Sequence, residues 1–150
     1  MKQIKNFAAV KLLLLVAVCA TLFSFSGNVG GESFEIFLNG KLMIQQHLYQ
    51  KPPVASLTLD PQSVQDEVKV HYNNCGHTDT GRTLTIRDEQ NKILKEWQFA
   101  DAATMTWKVK DISLLEKKSR LTLCYSSKEL PKVRVLASLV LSKETQAALN

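Results

Sequence analysis

Ser33-Phe34-Glu35-Ile36-Phe37-Leu38-Asn39-Gly40-Lys41-Leu42-Met43-Ile44-Gln45-Gln46-His47-Leu48 is the stretch that decides the fold. Phe34, Ile36 and Leu38 alternate with Ser33, Glu35 and Phe37. After Asn39-Gly40, Leu42, Ile44, Gln46 and Leu48 alternate with Met43, Gln45 and His47. A period of two sends successive side chains to opposite faces of a strand, the pattern of a half-buried sheet. Asn-Gly between two such runs tolerates the two positive φ angles of a type I′ turn, so the stretch predicts a β-hairpin.

The same reading extends downstream. Lys51-Pro52-Pro53 punctuates the chain, because proline cannot donate to a ladder. Ala55, Leu57 and Leu59 predict a third strand, closed by Asp60-Pro61, and Val68, Val70 and Tyr72 a fourth. Leu84 and Ile86 lead to the polar turn Asp88-Glu89-Gln90-Asn91-Lys92, from which Ile93 to Phe99 returns as a second hairpin. Met105, Trp107 and Val109 alternate with polar neighbours, as do Leu121, Leu123 and Tyr125. Val133 to Leu141 is almost wholly apolar, as expected of a central strand covered on both faces. Eight or nine short strands with no helix between them predict an all-β chain: a single antiparallel β-sandwich, immunoglobulin-like, with a small barrel as the alternative closure.

Upstream of the hairpin the pattern changes. Lys2 and Lys5 precede an apolar run from Leu12 to Phe23, and small residues follow at Ser24, Ser26, Gly27, Gly30 and Gly31. Basic start, apolar middle and small-residue exit make up a secretory signal peptide. The apolar run is short for a membrane span, which needs about 20 residues. Residues 1–26 therefore read as the signal, with cleavage as late as residue 30 as a second option, and residues 27–150 as one sandwich domain. An uncleaved anchor is the alternative. A lipid anchor at Cys19 fits less well, because Val18, not a small residue, precedes it. The net charge of +5 invites a nucleic-acid reading. Removing Lys2, Lys5 and Lys11 with the signal lowers it to +2, so most of that charge belongs to export and no nucleic-acid partner is expected. The destination is the periplasm or the exterior, including association with the outer membrane.

Cleavage leaves Cys75 and Cys124. Exported chains keep disulfides, and an even count fits one. Cys124 lies on the strand face opposite Leu121, Leu123 and Tyr125, so a pin through the core is disfavoured. A surface disulfide and two reduced thiols stay open as alternatives. His71, Cys75 and His77, in His71-Tyr72-Asn73-Asn74-Cys75-Gly76-His77, are residue types that ligate copper or zinc. Their spacing departs from that of blue-copper sandwiches, and a polar turn is the plainer reading. Catalysis has little support: the chain has no Gly-x-Ser-x-Gly elbow, no Ser-x-x-Lys and no Gly-rich phosphate loop. Thr106, Lys108 and Lys110, with Thr83, Thr85 and Arg87, suggest a mildly basic outer sheet face.

Cys75-Gly76, the run Lys92-Ile93-Leu94-Lys95-Glu96-Trp97 and the run Tyr125-Ser126-Ser127-Lys128-Glu129-Leu130-Pro131-Lys132 resemble small, uncharacterised, signal-bearing secreted β-sandwich proteins of Bacteroidota. The resemblance implies an exported single domain and carries over no catalytic residue. The expected function is an exported, non-enzymatic binding or assembly module of the bacterial cell envelope, without cofactor, whose partner is an envelope protein or glycan. Phe37, Met43 and Tyr49 share the less apolar side of the first hairpin and are its candidate contact patch. The alternative is a periplasmic copper- or zinc-binding sandwich using His71, Cys75 and His77.

Overall fold

The computed structural model describes residues 31–115 and 120–142, so the expected signal over residues 1–26 lies outside the described residues. The strands are β1 (Glu32–Leu38), β2 (Lys41–His47), β3 (Ala55–Leu59), β4 (Glu67–Asn74), β5 (Thr83–Arg87), β6 (Ile93–Gln98), β7 (Thr104–Lys108), β8 (Leu121–Ser126) and β9 (Arg134–Leu141). They form a four-stranded sheet in the order β2-β1-β4-β7 and a five-stranded sheet in the order β3-β9-β8-β5-β6. The chain is an all-β sandwich, as the alternation predicts. Its strands pair antiparallel except at one edge, where β3 runs parallel to β9.

Alternation explains the core. Phe34, Ile36, Ile44, Val68, Val70, Tyr72, Met105 and Trp107 point inward from the four-stranded sheet. Leu57, Leu59, Leu84, Ile86, Leu121, Leu123, Tyr125 and Leu139 meet them from the other. Fully burying a side chain of this size stabilises by about 1.5–3 kcal/mol, so this interior dominates the folding free energy.

The first hairpin turns at Asn39 (φ 51°) and Gly40 (φ 79°). These are the two positive angles that the Asn-Gly pair suggests. The Asn39 side chain also ties the turn to the next strand of the sheet. Its Nδ2 donates to Asp66 Oδ1 at 2.8 Å and its Oδ1 accepts from the Glu67 amide at 2.9 Å.

Three expectations are corrected. Val133 to Leu141 is not covered on both faces: β9 sits inside its sheet, but Val135 and Val140 are about half exposed on its outer side. Val109 does not continue β7. Its amide turns to the Asp66 carbonyl at 2.9 Å, and Val109–Leu115 winds into a 3-10 helix that buries Val109 and Ile112. The two basic stretches do not share a face, since Thr106 and Lys108 belong to the four-stranded sheet and Thr83, Thr85 and Arg87 to the five-stranded one.

A spine of paired side chains crosses the interior. Trp97, Leu84, Tyr125 and Arg134 stand side by side on adjacent strands of the five-stranded sheet. Trp97 stacks on Trp107 with ring centroids 4.9 Å apart, and Tyr125 on Tyr72 at 4.0 Å. Arg134 forms a two-pronged pair with Glu32, Nε to Oε2 at 2.6 Å and Nη2 to Oε1 at 2.7 Å. Trp107, Tyr72 and Glu32 lie on β7, β4 and β1 but step along those strands rather than straight across them. One straight row thus faces a diagonal, so the strands of the two layers cross obliquely, as twisted sheets do.

The loop between β4 and β5 reaches into the same end of the sandwich. Asp79 is fully buried and accepts from Asn74 Nδ2 (2.9 Å), Tyr125 Oη (2.8 Å) and Ser127 Oγ (3.0 Å). Arg82, also buried, donates to the carbonyls of Tyr72 (2.6 Å), Ala102 (2.9 Å) and Ala103 (3.1 Å). Burial, with the bond to Asp79 second, pushes the Tyr125 hydroxyl well above the usual tyrosine range.

Candidate functional site

The outer face of the four-stranded sheet carries rows of polar side chains that the core does not require. Register builds it in rows. Ser33 of β1 stands between His47 of β2 and Asn73 of β4. Glu35 stands between Gln45 and His71, and Thr104 of β7 faces His71 on its far side. The second row is hydrogen-bonded at its two ends and only in looser contact at its middle. Gln45 Nε2 donates to Glu35 Oε1 at 2.8 Å, Glu35 Oε2 lies 3.9 Å from His71 Nδ1, and His71 Nε2 lies 3.1 Å from Thr104 Oγ1. Two hydrogen-bonded pairs, Gln45 with Glu35 and His71 with Thr104, thus stand side by side across the four strands.

Ser33 is the smallest member of the first row, and the larger side chains beside it leave a shallow groove of about 250 Å³. Glu35, Gln45, His47, His71 and Asn73 wall it. Rings flank it at both sides. Phe37 leans on His71 with centroids 5.3 Å apart, and Tyr49, on the 3-10 turn Leu48–Gln50, leans on His47 at 5.9 Å.

The order carboxylate, imidazole, hydroxyl in Glu35, His71 and Thr104 invites comparison with a nucleophilic triad. The geometry falls short. At 3.9 Å the carboxylate is beyond hydrogen-bonding reach of the ring. Acyl transfer also draws on amide donors converging beside the nucleophile. Within paired strands those amides bond their neighbours, as where β4 pairs β7 from His71 and Thr104 onward. What the row does provide is several planar hydrogen-bonding groups held in place.

Of the candidate metal ligands, the structure puts His71 in this row and the other two in the turn that follows β4. Cys75 (φ 52°) and Gly76 (φ 79°) form that turn. Asn73 Oδ1 accepts from the Gly76 amide at 3.0 Å, and the His77 amide donates to the Asn74 carbonyl at 2.9 Å. Among the described residues, no group of three or more His, Cys, Asp or Glu side chains is arranged to hold a metal ion. The structure does not join Cys75 to Cys124. Cys75 is exposed in the turn beside the four-stranded sheet, whereas Cys124 is buried on β8 of the other sheet. Burial raises the Cys124 thiol above its ordinary range, with the nearby Arg87 charge opposing the shift.

Of the candidate contact residues, Phe37 and Tyr49 lean on the groove residues His71 and His47, and Met43 is exposed on β2. Met43 and Tyr49 are 44% and 66% exposed, while Phe37 is half-buried against His71. Glu35, Gln45, His47, Asn73 and Thr104 were not among the sequence candidates. Period-two parity places the first four on outer faces, but only the pairing brings them side by side.

A larger hollow of about 430 Å³ on the five-stranded sheet is lined by Arg87, Arg120, Thr122, Cys124 and Ser138 among others. Its arginines are already engaged. Arg120 lies 3.7 Å from Glu89, and Arg87 bonds Asn91 at 3.0 Å and Thr85 at 3.3 Å.

The described residues define the class: a nine-stranded, two-layer β-sandwich with a polar row across one outer face. Comparison with family models, with curated proteins and with solved structures returns no match.

Proposed function

We propose that the chain is an exported, non-catalytic binding or assembly module of the bacterial cell envelope, and that it meets its partner on the outer face of the four-stranded sheet. One observation carries the reading: two hydrogen-bonded pairs, Gln45 with Glu35 and His71 with Thr104, set side by side across four strands beside an open groove. Polar side chains on a surface ordinarily sample several rotamers, and ordering them on binding costs about 0.5–1.5 kcal/mol each. Side chains that already restrain one another bind at lower cost. Tyr49 adds exposed apolar surface beside His47, and Met43 adds more on β2. The signal-like segment over residues 1–26 supports export.

The test is photo-crosslinking in the native host, with a photoreactive residue at Met43 and, as a control, at Val140 on the opposite sheet. The expected result is recovery of the chain outside the cytoplasm with Gly27 as its first residue, and an adduct from Met43 that Val140 does not give. An intact N-terminus in the cytosol overturns the export reading. Equal labelling from both positions, or none, overturns the surface.

A further inference from the structure

We propose that the groove takes an uncharged glycan, with one sugar ring seated over Ser33 and against the exposed ring of Tyr49. The inference rests on the binding-module reading above and narrows its ligand. The groove encloses about 250 Å³. That is less than a pocket for a drug-sized molecule, so it suits one small unit of a longer chain.

Hydrogen-bonding chemistry selects the unit. Each sugar hydroxyl both donates and accepts, and neighbouring hydroxyls present two such groups at once. Glu35 offers two acceptor oxygens, Gln45 and Asn73 offer an acceptor and a donor each, and His47 and His71 contribute ring nitrogens. These groups stand on three adjacent strands. Neighbouring strands lie about 4.8 Å apart, which is the scale of a sugar ring.

Charge selects against the other candidates. Among the described residues no lysine or arginine lines the groove, and Glu35 does, so an anionic chain would meet a carboxylate with no lysine or arginine beside it. An extended peptide would need main-chain partners to join as a strand. At the groove β1 is already paired on both sides, with β2 and with β4, so a strand could join only at the outer edge of β2, beside the groove rather than in it. A neutral, hydroxyl-rich chain has neither difficulty.

Tyr49 completes the site. Sugar rings carry an apolar C–H face that packs on aromatic planes, and tyrosine provides a wide apolar ring with a polar tip. The Tyr49 ring is two-thirds exposed and lies over Gly31. A Cβ at residue 31 would stand 2.7 Å from Tyr49 Cδ1, so the absence of a side chain there is what lets the ring take this place.

The test uses the exported protein purified from its host and an array of neutral oligosaccharides: cello-, xylo-, manno-, malto-, laminari- and chitohexaose. Heparin and polygalacturonate serve as anionic contrasts, and calorimetry follows on any hit. The expected result is binding of at least one neutral oligosaccharide. Gln45→Ala, Tyr49→Ala and Gly31→Ala each weaken it about tenfold or more, and Arg120→Ala on the opposite sheet leaves it unchanged. Unfolding midpoints of the Gln45 and Tyr49 variants stay at the wild-type value, separating lost binding from lost folding. Three results overturn the inference: no neutral oligosaccharide bound more tightly than about 1 mM, binding confined to the anionic chains, or binding that survives the groove substitutions. A protein adduct from Met43 together with a blank neutral array removes the glycan and leaves the binding-module reading standing; absence of both removes both.

Discussion

At the scale of single residues, Glu32 has the most demanding position. It accepts both prongs of Arg134 and the hydroxyl proton of Tyr72, with about a fifth of its side chain exposed. The Arg134 bonds, working against partial burial, hold its carboxyl below the ordinary 4.5. Burial, and after it the Glu32 bond, drives the Tyr72 hydroxyl far above the tyrosine range. The sign of the pH effect follows. A carboxyl whose pKa is depressed on folding stabilises the fold above its unfolded value, and that contribution is lost as pH falls through the folded value. Glu32→Gln is therefore expected to cost about 2 kcal/mol at pH 7, the worth of a charge-assisted pair whose partner is left behind. The difference from wild type should shrink progressively below pH 4.5. Urea unfolding of both proteins at pH 7, 5 and 3.5 measures it. A penalty that stays constant across the series would show that the charge on Glu32 contributes nothing.

At the scale of elements, the first hairpin shows both what the sequence discloses and where it stops. Asn39-Gly40 announces the turn, but the Asn39 side chain also fastens β1–β2 to the entry of β4. Two substitutions separate these roles. Asn39→Gly keeps a residue content with positive φ and loses the tie, for about 1 kcal/mol. Asn39→Ala loses both, for about 2 kcal/mol. Equal losses in denaturant midpoints would mean that only one role matters. The register is where legibility ends. A regular two-residue turn pairs Leu38 with Lys41 and, continued without interruption, would set Ile36 opposite Met43 and Glu35 opposite Ile44. Opposite residues share a face, so a polar and a core residue would be forced onto the same side. A bulge between Ile36 and Phe37 shifts the pairing by one residue, so that Ile36 meets Ile44 and Glu35 meets Gln45. Alternation told that Glu35 and Gln45 point outward, but it put Leu42 with Ile44 on the inner side, and the bulge instead sets Leu42 opposite Phe37 and leaves it exposed. Alternation could not tell that Glu35 and Gln45 touch, because that contact depends on the bulge. The partnership of His71 with Thr104 was hidden for another reason: it joins β4 to β7 across two intervening strands of the other sheet. Val109 misled the reading because an apolar residue at strand spacing also satisfies the buried side of a 3-10 helix.

At the scale of the whole molecule, the spine of Trp97 on Trp107, Tyr125 on Tyr72 and Arg134 on Glu32 couples the layers. It also underlies the groove, since Tyr72 lies between His71 and Asn73 in the chain and Glu32 precedes Ser33. A side chain of β4 or β1 that points in and belongs to the spine thus has a neighbour that points out and belongs to the site. Trp107 carries one defect: its indole Nε1 is buried with no hydrogen-bond partner among the described residues. A buried donor left unsatisfied costs about 1–3 kcal/mol. Trp107→Phe removes that donor while retaining an aromatic ring against Trp97, so lost contact area and relieved desolvation oppose each other. The expected net change is within about 1 kcal/mol. Trp107→Ala has no such offset and leaves a cavity between the sheets, for about 3–5 kcal/mol. Because both sheets meet across this spine, wild type and Trp107→Phe should unfold in one step, with fluorescence and far-ultraviolet dichroism transitions coinciding. Separate transitions in wild type would show that the sheets unfold independently. A Trp107→Phe penalty approaching that of Trp107→Ala would show that the ring's full width, rather than its unsatisfied donor, governs how the two layers fit.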